Sequence, residues 1–227
     1  MNSLKKWAKT EKQKIAEING TSAKLEYIWD YYKLWIIGIV AAVWFLSFAF
    51  IHYTVTLKDY WFYIMFTNTN AEIGDHSKLY NGYVEYTGYD LKKKNIVFNN
   101  NSYFDYLNGV TNNTYFEAFV AYTDSGTLDA VTMENESLTA LGESGRLLDL
   151  DSEACASIKE KYGDRFLYCT PYDKSYSTGK VAVGIDISDS KLMTEYHVYP
   201  DTCALGIGAQ SGNIEAVEKF LDYIYTE

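Results

Sequence analysis

Apolar and polar positions follow three different rhythms along this chain. Between Leu34 and Leu57 there is no Lys, Arg, Asp or Glu, and the centre of that stretch, IIGIVAAVWFLSFAFI at 36–51, is apolar almost throughout. As a helix rising about 1.5 Å per residue, its 24 residues span about 36 Å, which crosses a hydrocarbon core of about 30 Å with some tilt. Tyr27, Trp29, Tyr31, Tyr32 and Trp35 precede the stretch, and Tyr53, Tyr60 and Trp61 follow it. Amphipathic rings in those places mark the headgroup layers, and His52 reads as an anchor at the outer end. A cleaved leader is the competing reading. The apolar run exceeds the usual leader core of about 7–15 residues, and the one small-x-small site, Ser47-Phe-Ala49, lies inside it, so retention is predicted.

Upstream, residues 4–18 have a helical period, with Leu4, Trp7, Ile15 and Ile18 on one face. Such a helix could lie on an anionic leaflet, pack on a cytoplasmic partner or stand in water. Gly20-Thr21-Ser22 interrupts it, with Thr21 or Ser22 as the expected cap of the next helix.

Downstream, strand-like and helix-like segments alternate. WFYIMF (61–66), IVF (96–98), LDAVTM (128–133), 166–169, 180–187 and 204–208 read as strands; 75–87, 114–123, 136–143, 153–162 and 214–225 read as helices. Asn112 or Asn113 is placed to cap the helix at 114, and Gly126 and Gly145 to close helices. The last helix shows Ile214, Val217, Leu221 and Ile224 on one face. Strand–helix alternation predicts an α/β fold, a mostly parallel sheet with helical cover. The organisation expected is a basic cytoplasmic tail and juxtamembrane helix (1–33), a transmembrane helix (34–57) and an extracytoplasmic α/β domain (58–227).

Charge agrees with that division. Residues 1–33 hold seven Lys against four acids, +3, and the remaining 13 Lys and Arg against 26 acids make −13, together the net −10. Lysines before the apolar run place the N-terminus in the cytoplasm. The acidic remainder excludes nucleic acid as a partner, since phosphate contact needs clustered cations. Three cysteines, Cys155, Cys169 and Cys203, fit no zinc spacing; one disulfide or three small buried side chains are both open.

A family resemblance is carried by two stretches. One runs Ser125-Gly-Thr-Leu-Asp-Ala-Val-Thr-Met133, then Leu138-Thr-Ala-Leu141, then Gly145-Arg-Leu-Leu-Asp-Leu150; the other is Leu205-Gly-Ile-Gly-Ala-Gln-Ser-Gly-Asn213 followed by Glu215-Ala216 and Phe220-Leu221. Both resemble the core of type II extracellular solute-binding proteins, and the whole layout, with Trp-Asp-Tyr-Tyr-Lys at 29–33, resembles membrane-anchored single-pass proteins of gut Clostridia. The resemblance implies a solute-binding fold. The family closes two lobes on its ligand, whereas residues 59–227 suffice for one. The expectation is therefore one lobe, a truncated relative, acting beside a membrane transporter or another envelope protein. Two alternatives are a solute receptor of an ABC importer, and an accessory subunit acting mainly through its membrane helix.

Parallel sheets place binding loops at the carboxyl ends of their strands. Here those loops are 67–70, 99–102 and 132–135, offering Asn68, Asn70, Asn99, Asn101, Ser102, Thr132, Glu134 and Asn135. Amides, hydroxyls and a single acid suit a neutral polar ligand; the same side chains could instead satisfy turn backbones. Catalytic patterns are absent, which predicts a protein that is not an enzyme and uses no cofactor or metal. Gly142-Glu-Ser-Gly145 lacks the nucleophile-elbow spacing, and Gly206-Ile-Gly208 with Gly212 misses the dinucleotide spacing. Asp149-Leu-Asp151 lacks the rest of a calcium loop, and His52, His76 and His197 have no metal spacing.

Overall fold

A computed structural model describes residues 2–52, 59–173 and 179–226, the side chains of residues 2–8 excepted. The chain divides into two compact units, Met1–Lys58 and Asp59–Glu227. The expectations for Leu4, Trp7 and residues 53–57 fall outside the described residues.

The first unit is two helices, α1 (Asn2–Glu17) and α2 (Thr21–Ile51). The break falls at Gly20, whose φ of 97° suits glycine, and Gly20 itself is the N-cap of α2. That corrects the expected Thr21 or Ser22 cap: the strained backbone position, not a hydroxyl, decides where the helix starts. The Glu11 carboxylate accepts from the Tyr32 hydroxyl (2.8 Å), the Tyr27 hydroxyl (3.2 Å) and Lys14 Nζ (2.8 Å), so α1 folds back along the first turns of α2. Beyond that contact α2 continues unbroken and buries no residue within the unit. Its length and hydropathy suit a membrane span and a signal sequence alike.

The second unit is a six-stranded sheet with helices on both faces. Its elements are β1 (Tyr60–Thr67), α3 (Lys78–Thr87), β2 (Asn95–Ser102), α4 (Thr114–Asp124), β3 (Ala130–Met133), α5 (Asn135–Gly142), α6 (Ala156–Tyr162), β4 (Phe166–Cys169), β5 (Val181–Asp186), α7 (Lys191–Thr194), β6 (Ala204–Ile207) and α8 (Ile214–Tyr225). Strand order is β2-β1-β3-β6-β5-β4. β1 pairs in parallel with β2 and β3, but the β3–β6, β6–β5 and β5–β4 pairs are antiparallel. The sheet is therefore mixed, which corrects the mostly parallel expectation. Parallel neighbours need a crossover, usually a full helix. The four-residue α7 supplies none, and the chain turns back beside β5.

β1 is buried on both faces, as a central strand is. Phe62, Ile64 and Phe66 enter a core with Tyr83, Phe98, Ile158, Leu192, Phe220 and Ile224, under α3, α6, α7 and α8. Tyr63 and Met65 enter a second core with Phe119, Leu138 and Leu141, under α4 and α5. Phe220 is in ring contact with Phe62 (5.3 Å), Tyr83 (5.5 Å) and Phe98 (5.7 Å), and this aromatic knot locks α8 and α3 to the sheet. Local signals behave as expected: Asn113 Oδ1 accepts from Phe116 N at 2.9 Å to cap α4, and Gly126 and Gly145 follow α4 and α5 with positive φ.

The polar run 99–102 differs from expectation. It is the end of β2, not a loop, with Asn99 opposite Met65 and Ser102 opposite Thr67. The register slips between Met65 and Thr67, and Asn99 Oδ1 accepts from Asn101 N at 3.0 Å. Asparagine here satisfies backbone inside an irregular strand. At the outer edge of β2, Asp75 Oδ1 accepts from Phe98 N (2.8 Å), and the Asn100 side chain donates through Nδ2 to Ala71 O (3.0 Å). All three cysteines are free and buried.

Candidate functional site

The chain runs from β1 through α3 to β2 on one side, then through α4 to β3 on the other. That reversal makes the carboxyl ends of β1 and β3 the switch point, where open α/β sheets bind ligands. Here the protein's own chain enters the crevice. The segment after α7 crosses it, and Tyr199 is 6 % exposed. The Tyr199 hydroxyl donates to Thr132 O at 2.7 Å and lies 3.0 Å from Thr132 Oγ1. Thr69 Oγ1 donates to Val198 O at 2.6 Å, tying the crossing segment to the end of β1. Burial pushes the Tyr199 phenol well above its ordinary pKa, so it stays neutral and serves as a donor.

The expected site residues are mostly occupied by this architecture. Asn68, at φ 61°, donates to Phe104 O (2.7 Å) and accepts from Phe104 N (3.0 Å). Asn70 Oδ1 accepts from the Tyr103 hydroxyl at 3.2 Å, and Asn99 Nδ2 donates to the Tyr63 hydroxyl at 3.2 Å. Asn101 is exposed, whereas Ser102 is buried and its carbonyl accepts from Asn68 N. Thr132 is buried under Tyr199. Glu134 is the N-cap residue of α5, and its carbonyl accepts from Leu138 N. Asn135 N donates to Thr202 Oγ1 at 3.1 Å, while its Oδ1 is buried without a partner. The structure thus divides the set. Asn68 and Asn70 line an open groove of about 660 Å³ with Met193, Tyr196, His197 and Pro200; the other six do not line it. His197 is also left-handed (φ 48°), and its Nδ1 lies 2.7 Å from Met193 O. The groove carries no Lys, Arg, Asp or Glu. Its far wall has no signal in the sequence, because residues 193–200 carry no motif.

At the opposite end of β1 and β3, the stretches 125–133 and 205–213 meet. Asp129, at the start of β3, is 4 % exposed. Its carboxylate accepts from Tyr63 N (2.9 Å), Ser211 Oγ (2.8 Å) and Asn213 Nδ2 (3.2 Å), and Asn213 Nδ2 also donates to Trp61 O (2.8 Å). Burial raises the Asp129 pKa, and these neutral donors pull the other way. A shallow cavity of about 420 Å³ opens beside it, lined also by Asp59, Lys94, Gly126 and Gly212. The sequence signal for this acid was its isolation at the head of an apolar strand, Leu128-Asp-Ala-Val. Among the described residues no group of three His, Cys, Asp or Glu is placed to hold a metal ion. Compared with known proteins, the chain matches no family model, no curated protein and no solved structure.

Proposed function

We propose that the chain is a membrane-tethered interaction module without enzymatic activity. In this reading α2 spans the bilayer with the basic N-terminus in the cytoplasm, and the acidic α/β domain works outside, beside a transporter or another envelope protein. The observation that carries it is Tyr199. With Tyr199 hydrogen-bonded inside the switch-point crevice, the space beside it is an open groove, whereas small-ligand sites bury most of the ligand surface. Resemblance to one lobe of a type II solute-binding protein fits a domain whose ligand cleft has given way to protein contacts.

Topology is tested by adding protease to intact cells. Residues C-terminal to the span should be digested and the lysine-rich end spared; the opposite pattern removes the reading. A second reading, the solute receptor, is favoured by the uncharged groove at Asn68, Asn70 and His197. A panel of neutral sugars and peptides in thermal-shift measurements separates the two, because a ligand that binds the native state raises its melting temperature. The interaction-module reading expects no shift.

A further inference from the structure

The two faces of the α/β domain differ in charge. From Asn95 to Gly145 there is no Lys, Arg or His, against seven Asp and Glu. This stretch makes β2, α4, β3 and α5 and so builds the α4/α5 face. On the other face cations are abundant and paired: Lys78 with Glu195 (2.6 Å), Lys161 with Glu218 (2.7 Å), Arg165 with Asp189 (2.6 Å) and Lys219 with Glu215 (2.8 Å). Among the described residues, the one ion pair that reaches 95–145 joins Asp124 to Arg146.

The acidic face also exposes apolar side chains. Tyr103 and Tyr115 are each 37 % exposed, Leu107 45 % and Val110 56 %, and Tyr122 lies two turns along α4 from Tyr115. They stand on a rigid base. Tyr103 and Tyr115 are in edge contact at 5.9 Å, Phe104 and Phe119 are buried beneath, and Asn68 holds the Phe104 backbone from both sides. Among the carboxylates, Asp105 stands in the loop that carries Leu107 and Val110, whereas exposed Glu117, two residues after Tyr115, faces away from the tyrosine stripe of α4. Fixed tyrosines displayed together mark the centres of protein interfaces.

We infer that the face formed by the 103–110 loop and α4 docks a cationic, apolar-bearing segment of a partner protein. Charge selects this occupant. An anionic leaflet would be repelled by the carboxylates, and a second copy would set like charges against each other. The inference rests on the interaction-module reading and gives that module its surface.

The test places the photo-crosslinker p-benzoylphenylalanine at position 115 or 122 of the full chain in its native membrane, with position 86 on α3 as the control. Adducts are mapped to the contacting peptide. The expected result is one partner protein captured from both 115 and 122 through a segment with excess Lys and Arg. Yield should fall at least about tenfold in high salt, which screens the carboxylates of this face from the partner's cations. An adduct to lipid, to a second copy, to a segment without cations, or one indifferent to salt overturns the inference. Capture from position 86 alone also removes this surface while leaving the module reading in place; no adduct at any position removes both.

Discussion

Replacing Tyr199 tests whether the switch-point crevice is held shut by its own side chain. Tyr199→Phe keeps the ring but leaves Thr132 O and Thr132 Oγ1 without the hydroxyl that serves both. Leaving a buried acceptor unpaired costs about 1–3 kcal/mol. Tyr199→Ala also removes the buried ring, and large-to-small aromatic changes in cores cost about 3–5 kcal/mol. At a urea slope of about 2 kcal/mol/M, a 4 kcal/mol loss lowers the unfolding midpoint by about 2 M. The assay is urea unfolding of residues 59–227 followed by tryptophan fluorescence, for which Trp61 is the sole reporter, stacked on Tyr89 at 5.0 Å. The space left by Tyr199→Ala should accept p-cresol. At a free concentration ten times Kd, a ligand specific for the native state restores about 1.4 kcal/mol. A Tyr199→Ala variant within 1 kcal/mol of wild type, or p-cresol stabilising both proteins equally, would refute the closed-crevice argument.

Three further outcomes are expected. Asp129 has a folded-state pKa above its unfolded value, so its contribution is fully present below the ordinary carboxylate range and is lost as pH rises through the raised value; Asp129→Asn should flatten that part of the stability–pH curve, and an unchanged slope would count against it. Gly208→Ala drives a Cβ into the Leu128 carbonyl, whereas Gly212 has open space around it; the first should lose about 1–3 kcal/mol by overpacking, and the second should change stability by less than about 1 kcal/mol, both read by urea unfolding. Burial raises the thiol of Cys169 to about 11 and those of Cys155 and Cys203 as well; iodoacetamide labelling of the folded protein should be at least tenfold slower than of the urea-unfolded chain, and fast labelling of any cysteine would show it exposed.

Local order was legible in the sequence where one interaction decides it. Asn113 as a cap, Gly126 and Gly145 after their helices, and the apolar face of α8 each follow from spacing of a few residues. Strand direction was not, because whether β5 returns beside β6 depends on a four-residue helix too short to act as a crossover. Asn99–Ser102 read as a loop because asparagine favours turns; tertiary pairing with β1 overrode that preference and used the amides to bridge a slipped register. At the candidate site, the sequence offered polar side chains at strand ends but not their employment. Asn68 and Thr132 are engaged by Phe104 and Tyr199, partners 36 and 67 residues away.

If α2 tethers the domain to a membrane as proposed, the capped amide at the rim of β2 gains importance. Copies held at one height above a surface collide sideways far more often than molecules free in solution. An open strand at the rim would let each collision begin a growing ribbon of shared sheet. With the Asp75 carboxylate seated on the Phe98 amide, a neighbour that touches there finds that donor already taken. That capped amide shortens the run of donors from which such a ribbon could grow.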